Sequence, residues 1–145
     1  MDIIGRLKEV FEKEVSDDRY VRKDKDEVIQ AFQRLDVQVP ELFEEFFLNF
    51  IGPFWSEIIG MEFFDIVDDI YNIESETNVC REVHSFPKQY LVLTQIIAME
   101  ILVLNTLNDK VYRVDFEGGD EALRNGQLEA TWESFEEFLI EYFGL

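Results

Sequence analysis

The stretch Glu100–Phe116, EILVLNTLNDKVYRVDF, constrains the fold more than any other part of the chain. Its first half, Ile101 to Leu107, is almost wholly apolar, the pattern of a strand covered on both faces. Its second half alternates. Tyr112, Val114 and Phe116 point one way and Val111, Arg113 and Asp115 the other, as the two-residue period of a strand requires. Asn108-Asp109 between them tolerates the positive φ angles of a short turn. The expectation is a hairpin with one interior strand, at the centre of a mixed α and β domain.

Helices are legible around it. Ile3, Ile4, Leu7, Val10, Phe11 and Val15 fall on one helical stripe over Asp2–Val15. SDDRYVRKDK breaks that period as an exposed connection. A second helix starts near Asp24, with Glu27 at capping-box spacing and Val28, Ala31, Phe32 and Leu35 on its buried face. Pro40 suits the first turn of a third helix, PELFEEFFLNF. Its stripe is Leu42, Phe43, Phe46, Phe47 and Phe50, and Gly52-Pro53 should stop it, with Gly in the left-handed position. Ile58–Phe64 and Tyr90–Ile97 are expected as strands. The segment DIVDDIYNIESETNVCREV is ambiguous; Ile66, Val67, Ile70, Tyr71 and Ile73 recur at helical spacing, so a helix is favoured from Asp65, most clearly as far as Glu74. GGDEALRNGQLEA, bracketed by Gly118-Gly119 and Asn125-Gly126, reads as a mobile acidic loop. A last helix begins at Ser134, with Glu137 completing a second capping box and Phe135, Phe138, Leu139 and Tyr142 facing inward.

At 145 residues with 47% hydrophobic content, the chain suits one domain whose core needs neither disulfide nor metal. Residues 1–23 form the N-terminal helix and connection and 24–145 the core. A single Cys, Cys80, fits a reducing compartment. The charged N-terminus resembles neither a secretory signal nor a membrane span, so a cytoplasmic location is expected.

Charge is the most informative bulk property. The net is −19, and it is unevenly placed: residues 1–34 carry 8 basic and 9 acidic side chains, and residues 35–145 carry 5 and 23. Such a field repels nucleic acid and anionic membranes and attracts basic proteins. The basic knot Arg19, Arg22, Lys23 and Lys25 is interleaved with Asp17, Asp18, Asp24 and Asp26, which argues against a nucleic-acid site.

Catalytic constellations are scarce. There is one His, His84, and no Gly-x-Ser-x-Gly elbow, P-loop or zinc-finger spacing. A Cys80–His84 nucleophile pair would need the chain to bend back and join them. Asp65, Asp68 and Asp69 form one acidic cluster and Glu117, Asp120 and Glu121 a second. Neither follows the calcium-loop pattern, and in a chain with 32 acids a solvated face is the ordinary explanation. As functional residues they fit contacts to a basic protein better than metal ligands. Trp55, just past the helix stop, fits either an exposed anchor for such a partner or a core residue. No cofactor and no metal are expected.

The order of elements completes the reading. VPELFEEFFLNFIG, a short strand, an acidic segment, FPKQYLVLTQI, the central hairpin and ATWESFEEFL together resemble the SUKH superfamily, whose Smi/Knr-like branch includes fungal cell-wall regulators and bacterial immunity proteins. The resemblance covers the chain from about Asp24 onward. It implies an α+β domain, a mainly antiparallel sheet of about four to six strands flanked by N-terminal helices and a C-terminal helix, with no active site. It further implies a non-enzymatic binding protein, an immunity protein that neutralises a cognate basic toxin of nuclease or deaminase type. The alternative is a regulatory scaffold that binds cellular proteins unrelated to toxins.

Overall fold

A computed structural model describes residues 2–14 and 18–145. Val15 of the first stripe, Ser16 of the connection and Asp17 of the basic knot lie outside the described residues. Among these the chain forms α1 (Ile3–Glu14), α2 (Lys25–Leu35), α3 (Glu41–Asn49), β1 (Phe54–Ser56), β2 (Met61–Phe63), α4 (Ile73–Val83), β3 (Tyr90–Val92), β4 (Glu100–Asn105), β5 (Val111–Asp115), α5 (Gly119–Arg124) and α6 (Phe135–Phe143). The fold is α+β.

The five strands form two antiparallel sheets, β1-β2 and β3-β4-β5. A bridge between Phe63 and Thr94 joins them, with the Phe64 N–H donating to the Leu93 carbonyl at 2.9 Å. β4 is apolar from Ile101 to Leu104 because it is the middle strand and both faces are covered. The row Leu91–Leu104–Val111 faces the main core, and the row Val92–Val103–Tyr112 faces a second cluster with Cys80, Phe86 and Leu123. Tyr112 and Val114 are buried on that second side and Phe116 packs against it, as the alternation requires.

The main core is built from rings. Phe46 and Phe63 stack at 5.6 Å, and Phe135 and Phe138 of α6 meet Phe63 edge-on. Such pairs add to simple area burial. The buried Tyr142 hydroxyl sits 2.7 Å from the Met61 carbonyl and 3.0 Å from that of Phe54, and accepts the Phe63 N–H at 3.0 Å. One hydroxyl thus fastens α6 to the β1–β2 hairpin, and burial pushes its pKa up. Asp24 caps α2 through the Glu27 N–H and Ser134 caps α6 through the Glu137 N–H, as the spacing predicts.

Several local expectations give way to tertiary contacts. The region 65–72 is not helical. The Asp65 carboxylate accepts the Val67 and Asp68 N–H groups, an alternative to the helix ladder. Asp69 then turns left-handed at φ 73°, and α4 begins only after Asn72, which caps it reciprocally with Ser75. Gly52 is not a left-handed cap. Helix α3 ends at Phe50 in extended backbone, and Gly52 is required because a Cβ there would lie 2.9 Å from the Phe54 ring and 3.2 Å from the Asp65 nitrogen.

Residues 58–60 are the turn into β2, closed by the Gly60 N–H donating to the Ser56 carbonyl. Strand β3 stops at Val92, beyond which the Thr94 hydroxyl accepts the Leu102 N–H in place of a ladder carbonyl. β4 ends at Asn105, whose side chain accepts the Leu107 N–H and opens the turn early. The supposed loop GGDEALR contains α5. Asp115 accepts the N–H groups of Glu117 and Gly119, and Leu123 is buried beneath.

Candidate partner-binding surface

Of the two acidic clusters read from the sequence, the first is divided by the fold. Asp65 is fully buried, so its placement among surface contacts is corrected. Its carboxylate is ion-paired with the guanidinium of Arg22, itself 5% exposed, and accepts N–H groups from Gly52 (2.9 Å), Val67 (3.2 Å) and Asp68 (2.9 Å). A buried carboxylate needs such saturation, because an unpaired one would bear the full cost of desolvation. Arg22 also donates to the Phe47 carbonyl at 3.0 Å. The pair therefore pins the connection before α2, the end of α3 and the bend before α4 at one point.

Asp68 and Asp69 remain exposed, beside Ile70 and Tyr71, which are 82% and 60% exposed. In the second cluster Glu117 and Glu121 are exposed. Asp120 is half-buried and accepts from Arg124 at 3.1 Å. Burial would raise its pKa, but the Arg124 hydrogen bond and neighbouring backbone N–H groups outweigh this and hold it below the usual carboxylate value. Trp55 is 62% exposed, so it is not a core residue; it pairs with Glu62 across the β1–β2 ladder. No hydrogen bond or ion pair joins the two clusters among the described residues.

One feature escaped the sequence reading. Ala98 and Met99 both adopt left-handed backbone (φ 51° and 63°) in a two-residue turn closed by paired hydrogen bonds between Ile97 and Glu100. Asn-Gly is the usual choice there. The tip exposes Ile96, Ile97 and Met99, 44–52% each. The Phe116 N–H donates to the Met99 carbonyl at 3.0 Å, which fixes the tip beside Asp115 and Glu117. The tip thus sets apolar side chains next to carboxylates. The signal in the sequence was QIIAME, where apolar residues run past the end of any strand facing a core.

Nucleophilic chemistry has no support at Cys80. Its thiol is buried and its pKa is pushed up to about 11, the reverse of an activated cysteine. His84 packs against Phe116, the rings tilted at 44° with centroids 4.7 Å apart. Among the described residues no three His, Cys, Asp or Glu side chains are grouped as metal ligands, and no helix is long and apolar enough to cross a membrane.

The family model described as SMI1 / KNR4 family (SUKH-1) matches residues 24–141. The chain belongs to that family. The match begins at the Asp24 cap of α2 and takes in all three strands of the larger sheet and most of α6. Helix α1 precedes it. No curated protein matches the chain.

Proposed function

We propose that this SUKH-1 chain is a non-enzymatic binding protein of the cytoplasm, an immunity protein that neutralises a cognate basic toxin domain, nuclease or deaminase, by covering its active site. The observation that carries this reading is the net charge of −19, of which nearly all lies on residues 35–145, the body of the family domain. A nuclease must be basic where it holds phosphate, so a strongly negative inhibitor is drawn to that surface from a distance. Contact then rests on Asp68, Asp69, Glu117 and Glu121 at the rim, with Asp120 held by Arg124 beside them. Trp55 and the Ile96–Met99 tip are the apolar anchors, because buried aromatic and aliphatic groups dominate such interfaces.

The test is inhibition of a toxin domain encoded beside this chain's gene, whose presence this reading requires. The toxin's activity should fall stoichiometrically as the protein is added and should return when Glu117→Lys and Glu121→Lys are combined. Both side chains are exposed, so the double variant keeps its fold. Undiminished toxin activity at excess protein overturns the reading, and full inhibition by the double variant removes α5 from the interface.

A further inference from the structure

Basic side chains in this acidic chain are mostly spoken for. Arg34, Arg81, Lys88, Lys110, Arg113 and Arg124 each meet a carboxylate or a carbonyl. The side chains of Arg6 and Lys13 on α1 have no hydrogen-bond or ion-pair partner among the described residues, and neither do those of Lys8 on α1 and Lys25 at the start of α2. Lys8 and Lys25 both line one cavity of about 190 Å³ between α1 and the segment where Val21 bridges Phe50. Its apolar wall is a ring cluster, with Phe11 at 4.8 Å from Tyr20 and 5.0 Å from Phe50. Arg22 also borders it, but its charge is met by Asp65. Glu12 is the one carboxylate among the described lining residues.

We propose that this cavity binds a small organic anion with a single aromatic ring or short aliphatic chain, an aryl-alkanoate in chemical class. The size fits, since an apolar cavity of about 150 Å³ accepts benzene. The ring or chain lies against Phe11, Tyr20 and Phe50, and the carboxylate meets the ammonium groups of Lys8 and Lys25 at the rim. Elsewhere the field of a −19 protein repels an anion. Among the described lining residues two lysines stand against one carboxylate, so the local balance is reversed. Helix α1, which precedes the family match, supplies Lys8, Phe11 and Glu12 to the lining, and Lys25, Leu48, Asn49 and Phe50 come from within the match. The cavity is independent of the toxin reading.

The probe is 4-phenylbutyrate, titrated into the full-length ¹⁵N-labelled protein and followed by amide shifts. Saturable shifts are expected around residues 8–12, 20–25 and 48–50. The neutral 4-phenylbutanol should bind about tenfold more weakly, the scale expected of two exposed ion pairs. The double variant Lys8→Gln/Lys25→Gln should reduce phenylbutyrate to the level of the alcohol while leaving the alcohol's affinity unchanged. Absence of saturation up to about 10 mM, well above the millimolar range of weak specific binding, overturns the proposal. So does 4-phenylbutylamine binding as tightly as the acid, or a double variant that binds the acid unchanged.

Discussion

Replacing Asp65 with alanine strands four donors at once: the Arg22 guanidinium and the N–H groups of Gly52, Val67 and Asp68. Arg22 is 5% exposed, so its charge has no route to water without movement of the connection before α2. Removing one partner of a buried ion pair costs about 3–5 kcal/mol. The three N–H groups share that loss and do not add a full increment each, because they converge on one carboxylate. Taking about 4 kcal/mol, and an unfolding entropy of about 0.3 kcal/mol/K for a chain of this length, the melting temperature should drop by about 13 °C. Asp65→Asn keeps an acceptor but loses the charge, and should fall between wild type and alanine. Arg22→Met combined with Asp65→Asn should cost about 2 kcal/mol less than the sum of the single changes, since each single variant already breaks the pair. Urea unfolding followed by far-UV circular dichroism gives all four values. A loss below about 1 kcal/mol in Asp65→Ala, or strict additivity in the cycle, would refute the view that this pair ties three segments together.

Tyr142→Phe removes the hydroxyl that joins α6 to the β1–β2 hairpin and leaves the Phe63 N–H and two carbonyls facing an apolar ring. Denaturant unfolding should show a loss of about 1–3 kcal/mol with the fold retained. Asp109 has its pKa raised, first by burial, and one carboxylate oxygen has no partner. A raised carboxyl pKa opposes folding once the unfolded chain ionises. Asp109→Asn should therefore stabilise the protein at neutral pH by less than about 1 kcal/mol, because the group is partly screened by solvent. That gain should vanish as pH falls below the ordinary carboxyl value of 3.8. Equal stability of the two proteins at pH 7 would argue against the assignment. The Cys80 thiol, raised to about 11, should react with a disulfide reagent at pH 8 only as fast as the domain opens; labelling as rapid as in urea would contradict its burial.

What could be read from the sequence and what could not divides along the range of the contacts involved. The caps at Asp24 and Ser134, the aromatic stripe of α3 and the doubly covered β4 all rest on neighbours within a few positions, or on burial that leaves a periodic trace. The helix expected from Asp65 onward failed because Asp65 answers to Arg22, 43 positions earlier, and no local pattern records that pairing. Asn72 and Ser75 carried the true helix start, but Ser at the third position is a weaker sign than Glu.

Gly52 and Gly119 were read as breakers, whereas both are needed for close approach, to Phe54 and the Asp65 backbone in one case and to the Asp115 carboxylate in the other. Among the residues expected to contact a partner, Asp68, Asp69, Glu117, Glu121 and Trp55 do reach solvent, while Asp65 is a structural charge and Asp120 is tied to Arg124. The exposed turn at Ala98-Met99 was hidden because its residues are apolar and look like a continued strand.

The central claim is that the negative field of the domain guides it onto a basic protein. Stopped-flow association with the cognate toxin domain, measured from about 0.01 M to about 0.15 M salt, tests it most directly, because the screening length shrinks from about 30 Å to about 8 Å over that range. The account predicts that the association rate falls at least about tenfold while the dissociation rate changes little. An association rate indifferent to salt would contradict it.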